Sequence, residues 1–175
     1  MKKIVTLSLL ISMCVVVYSQ QNDNSNVTKT KFSDFTARSG QIVSFENFNK
    51  TTFKSLYGSL TATKRIVKRA DEKKVFLMFE LPSQYTTRTS AIAEEDIKDL
   101  INAITTLQND ASIDINTTSD YMEKYYMTED NFKIGYYVSE KKTNWYVDLD
   151  TRLSESTFFI KDINDFVQKI QEVIK

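Results

Sequence analysis

The chain has 175 residues, with 23 basic and 23 acidic side chains, a formal net charge of zero, three glycines, one cysteine and no histidine. That inventory excludes the Ser-His-Asp triad, the Cys-His pair, the usual zinc sites, the phosphate-binding loop and the dinucleotide fingerprint, each of which needs imidazole, thiolates or clustered glycines. The balanced charge offers no electrostatic footprint for a nucleic acid.

Lys2 and Lys3 precede an apolar run from Ile4 to Val17, the pattern of a cleaved export signal, with the cut expected between Ser19 and Gln20. Cys14 follows Met13, where a lipidation signal needs a small residue, so no lipid anchor is expected. Removing residues 1–19 takes away Lys2 and Lys3, leaving 21 basic against 23 acidic groups and no cysteine. A disulfide-free chain sent into an oxidising compartment suits a bacterial periplasmic or secreted protein, with no stable membrane insertion after cleavage. The stretch after the cut is polar, giving a flexible tether over residues 20–38 and a single domain over residues 39–175.

In that domain, Ile42 to Phe48 alternates apolar and polar residues as a half-buried strand, and Phe53 to Tyr57 reads as a second. Leu60 to Arg69 and Lys74 to Leu81 form a hairpin pattern around residues 70–73. The second arm is apolar on both faces and therefore interior. Lys64, Arg65, Lys68, Arg69, Lys73 and Lys74 place cations on both faces of the first arm, the pattern of a guarded edge strand. Pro82 ends the hairpin, Ser83 to Ser90 reads as a polar loop, and Glu94-Glu95-Asp96 opens a helix by offsetting its macrodipole.

The helical stretch Asp96 to Leu107 returns 66 positions later as Asp162 to Val173. Ile97, Leu100, Ile101, Ile104 and Leu107 match Ile163, Phe166, Val167, Ile170 and Val173, each set forming one apolar stripe. At a shift near 68, Ile113 and Ile115 answer Phe45 and Asn47, and Trp145, Val147, Asp148 and Leu149 answer Leu77, Phe79, Glu80 and Leu81. Tyr121 and Tyr125 are read as answering Phe53 and Tyr57, Ser156 as answering Ser90, and the Asp150–Glu155 loop as absorbing the change in shift. The fold class is α+β: a tandem β-β-β-β-α duplication over about 41–109 and 110–175, forming an antiparallel sheet or partial barrel packed with two helices. The stretch Ala91-Ile92-Ala93-Glu94-Glu95-Asp96-Ile97-Lys98-Asp99-Leu100-Ile101-Asn102-Ala103-Ile104 also resembles a pattern in small exported proteins of unknown role from Bacteroidetes. That resemblance implies export and a bacterial source, and carries no catalytic motif.

Aromatic residues are in excess, with eight Tyr, eleven Phe and one Trp once the signal is removed. On a strand, neighbours point to opposite faces, so the pairs Tyr136-Tyr137 and Trp145-Tyr146 each send one ring to either side. With Trp145 inward beside Val147 and Leu149, Tyr146 and at least one of Tyr136 and Tyr137 are expected to be partly exposed. Outward tyrosines supply flat amphipathic area suited to interfaces and sugars, making Tyr136, Tyr137, Trp145 and Tyr146 the candidate binding residues. The expected function is an exported, non-enzymatic binding protein for a protein or glycan partner in the cell envelope, without cofactor or metal. The alternatives are a small glycan hydrolase using Glu80 and Asp148, with Asp150 nearby, as its carboxylate pair, or a structural component of the envelope.

Overall fold

The computed structural model describes residues 29–56, 58–83 and 86–175. The export signal, its cleavage point, Cys14 and Tyr57 lie outside the described residues.

Four antiparallel strands, β1 (Val43–Ser55), β2 (Gly58–Arg69), β3 (Glu72–Pro82) and β4 (Thr87–Ala93), form one sheet in sequential order. A second sheet has the same plan, with β5 (Tyr121–Met127), β6 (Lys133–Ser139), β7 (Lys142–Asp148) and β8 (Thr157–Ile160). Among the described residues, three helices complete the mixed α+β architecture: α1 (Lys31–Thr36), α2 (Glu94–Asp114) and α3 (Ile163–Ile174). Each half therefore runs four strands and then a helix, but in two separate sheets rather than a closed barrel.

Several expected elements shift. The two strands read at the start of the domain are one long β1, bent by a register irregularity between Phe48 and Thr51 with Asn49 at φ 50°. The loop expected from Ser83 to Ser90 gives way to β4 from Thr87, because Thr87, Arg88 and Thr89 pair with Pro82, Leu81 and Glu80. Ile113, expected in a strand, is in the last turn of α2, and Ile115 is its cap, so the second sheet starts only at Tyr121. Leu77 faces Ile92 and Trp145 faces Ile160, a constant separation of 68 between the halves. The shift drops at the junction of β8 with α3, not in the Asp150–Glu155 loop, and Ser156 stands opposite Leu149 as Arg88 stands opposite Leu81.

β2 is an interior strand paired on both sides, so its cations do not guard an edge. They serve as links between elements. Arg69 donates to the Phe35 carbonyl at 2.8 Å, pairs with Glu72 at 2.8 Å and lies 4.4 Å over the Phe35 ring. Lys64 donates to the Ile174 carbonyl at 2.6 Å, completing the free end of α3 with a cation. Edge protection falls to β5, where Lys124 turns inward to Asp110 and Asp114 at 3.0 and 2.7 Å.

The helices are exchanged between the halves. α3 lies on β1 and β2 of the first sheet, while the body of α2 lies on β5 and β6 of the second and its start on β3 and β4. Phe166 of α3 sits 4.6 Å from Phe53 and stacks 6.2 Å from Phe79, which stacks on Phe132 at 5.1 Å. Both sheets and both helices thus share one core. Of the ten residues expected in the helical stripes, Ile101, Ile163 and Val167 are only half-buried, because they lie at the margin of each stripe. Asp162 caps α3 by accepting from the backbone of Asn164 and Asp165 at 2.8 and 3.1 Å, a contribution of about 1 kcal/mol.

The tether expected to run to residue 38 ends sooner. Thr30 caps α1 by accepting from Ser33 N at 3.0 Å, and Phe35 is buried against Val67, Phe76 and Met78 on the face of the first sheet turned away from α3. This explains why β3 is apolar on both sides. The start of α1 is clamped by the Lys31 N–H donating to Asp130 at 3.0 Å and the Lys31 ammonium meeting Asp96 at 2.6 Å. Burial holds the Asp130 carboxyl above its ordinary pKa, against the pull of Lys31, with the charges of Asp96 and Glu129 adding to the rise. A folded-state pKa raised above the unfolded one means the native chain holds the extra proton. That contribution is full below the ordinary carboxylate range and is lost as pH climbs through it to the raised value. In urea unfolding across pH, Asp130→Asn should therefore gain on the parent as pH rises from about 4 towards neutrality. A difference that stays flat or falls would show that burial does not dominate at this carboxyl.

Candidate binding surface on the second sheet

Alternation divides the second sheet cleanly. Ile134, Tyr136, Val138, Trp145, Val147, Phe158 and Ile160 face the helices, and Tyr121, Glu123, Tyr125, Tyr137, Tyr146 and Phe159 face the other way. Tyr136 is completely buried beneath α2, its hydroxyl donating to Asp114 at 2.6 Å and its ring 5.0 Å from Trp145. Burial and Asp114 together push its phenol pKa well up. Tyr136 is therefore core, and Trp145, half-buried, packs against it on the helix side of the sheet, so neither stands on the outer face.

Tyr146 does point outward, yet it is only 5% exposed. The residue opposite it on β6 is Gly135, which puts no side chain in the way. The ring crosses β6 at that gap, and its hydroxyl donates to Glu123 on β5. Lys133 covers the ring with its ammonium 5.1 Å from the centroid. Burial first, and then Glu123, raise the Tyr146 pKa far above the ordinary phenol range. Its expected exposure is thus corrected: the ring is the floor of the surface rather than part of its contact area.

Glu123 is the hub of this floor. It accepts from Tyr146 and from Tyr121 at 3.0 Å, and lies 3.6 Å from the Lys133 ammonium. These donors, Tyr146 foremost, hold its pKa below the ordinary range and keep it ionised. Lys133 also reaches over Tyr125, 4.8 Å from the ring centroid. The charges at the centre cancel locally, and the aromatic rings around them are held in place.

The exposed rings are ones the sequence reading assigned elsewhere. Tyr121 is 58% exposed, Tyr125 53% and Phe159 41%, with Met127 also exposed at the end of β5. Tyr137 is half-buried and stacks on Tyr121, centroids 5.8 Å apart with planes inclined by 24°. Of the four candidate residues, only Tyr137 lies on this outer face with its ring partly exposed. The signal that finds the others is the alternation Tyr121, Glu123, Tyr125, Met127 along β5. Matching Tyr121 to Phe53 hid it, because Phe53 is buried.

The carboxylates named as a hydrolytic alternative have separate local partners. Glu80 lies 3.9 Å from Arg65, Asp148 accepts from the Ser156 hydroxyl, and Asp150 forms a two-point pair with Arg152 at 2.8 and 2.7 Å. Arg152 lowers the Asp150 pKa. Among the described residues, no cluster of three or more His, Cys, Asp or Glu is arranged to hold a metal ion, and no helix is long and apolar enough to cross a membrane. Compared with known proteins, the chain matches no family model, no curated protein and no solved structure.

Proposed function

We propose that this chain is an exported, non-enzymatic binding protein that holds a partner in the cell envelope on the outer face of its second sheet. The observation that carries this reading is the set of exposed rings on one face of the sheet, Tyr121 and Tyr125 on β5 and Phe159 on β8 across the buried Tyr146, with the two tyrosines held by Glu123 and Lys133. Rings fixed before binding lose little conformational freedom in a complex, and exposed apolar area is recovered when a partner covers them. Met127 and Phe159 among the tyrosines favour a protein over a glycan, since methionine and phenylalanine are enriched where proteins meet. The two halves are read as products of a tandem duplication; α1 covers part of the outer face of the first sheet, where Phe45 stays exposed, and among the described residues no helix packs on the outer face of the second.

The test places a photo-crosslinking side chain at Tyr125 and, as a control, at the exposed helix position Thr106, in cells exporting the protein. A discrete adduct from position 125 alone, lost when Tyr121 and Phe159 are both changed to Ala, is the expected result. Absence of adduct, or equal labelling from position 106, would remove the surface as a binding site. Digestion of the adduct with protease or glycosidase then identifies the class of partner.

A further inference from the structure

A sheet of three seven-residue strands and one of four residues spans at most roughly 20 Å by 20 Å, about half of the ~800 Å² that each partner buries in a stable protein complex. A partner seated on the tyrosines must therefore reach beyond them, and Phe159 leads to a neighbouring region suited to it. On its far side, an open groove of about 510 Å³ is lined by Lys54, Ser55, Leu56, Phe159, Ile160 and Lys161. Its walls belong to β1 and β8, the edge strands of the two sheets, which approach one another without pairing. Leu56 is 94% exposed above it. Lys54 and Lys161 stand exposed at the rim, and neither has a carboxylate within ion-pair distance among the described residues.

We propose that this groove binds an extended apolar peptide segment flanked by carboxylates, which lies along the β8 edge and meets Lys54 and Lys161. The proposal names the partner chemistry for the sheet-face reading above and rests on it. Extended chain is favoured because an edge strand offers unpaired backbone groups that a peptide can satisfy by adding a strand. Carboxylates are favoured because two free ammonium groups border an apolar floor. The same lysines repel basic strands, which gives the groove its selectivity.

The probe is fluorescent Glu-Val-Phe-Val-Glu, titrated into the mature chain beside Lys-Val-Phe-Val-Lys and dodecanoate. The acidic peptide should bind, more weakly as salt rises, while the basic peptide does not. The double variant K54E/K161E, checked for an unchanged melting temperature, should lose about tenfold in affinity for the acidic peptide and gain binding of the basic one. Should that variant not fold, K54Q and K161Q singly should each weaken the acidic peptide. Equal binding of both peptides, unaltered affinity in these variants, or preference for dodecanoate would overturn the proposal. The two readings separate cleanly: loss of the Tyr125 adduct with peptide binding intact removes the sheet face alone, and the converse removes the groove alone.

Discussion

Replacing Phe166 with alanine should lower the free energy of unfolding by about 3–5 kcal/mol, measured by urea denaturation. The side chain is buried in the shared core and touches Phe53 and Phe79, both from the other half of the chain. Removing it forfeits its transfer energy and leaves a cavity between α3 and the first sheet, whose strands are held by their own ladder and have little freedom to close it. A domain of this size is stable by about 5–15 kcal/mol in total, so the variant should sit near its unfolding threshold. Ile104→Ala and Ile170→Ala, both at fully buried positions, should each cost about 2–5 kcal/mol. Because each helix mainly covers the sheet of the other half, a loss below about 1 kcal/mol for Phe166→Ala would contradict the exchanged packing itself.

The second large effect falls on Gly135. A methyl group there would stand 2.4 Å from the Lys124 carbonyl oxygen and 2.6 and 2.9 Å from Cβ and Cα of Tyr125. These are backbone or backbone-bound atoms of the paired strand, so relief requires β5 and β6 to part, and overpacking of this kind costs about 3 kcal/mol. Gly135→Ala should therefore lose that stability and, in addition, free the Tyr146 ring from its bed, since the gap it crosses would be filled. The checks are the unfolding midpoint and the phenol titration of Tyr146, which should fall back towards the ordinary range as its burial and its bond to Glu123 loosen. Full stability with an unmoved titration would mean that β6 does not need glycine to seat this ring.

Local pattern carried a definite share of this fold. The 3.6-residue stripes of α2 and α3 depend only on neighbours within a few positions, so they were legible, as were the acidic start of α2 and the two-sided apolar pattern that makes β3 interior. The absence of histidine likewise excludes the chemistry that needs an imidazole. What only the tertiary structure decided was which surface each element meets. β4 is polar enough in Thr87, Arg88 and Thr89 to read as loop, and becomes strand because β3 offers it a ladder. Lys64 and Arg69 look like edge guards until the C-terminal end of α3 and the carbonyl of Phe35 are brought to them. Alternation correctly turned Tyr146 away from Trp145, but burial is not set by direction alone. A glycine on the adjacent strand and a carboxylate two strands away decide that Tyr146 lies flat while Tyr121 and Tyr125 stand exposed, and those pairings join residues far apart in sequence that no local period records.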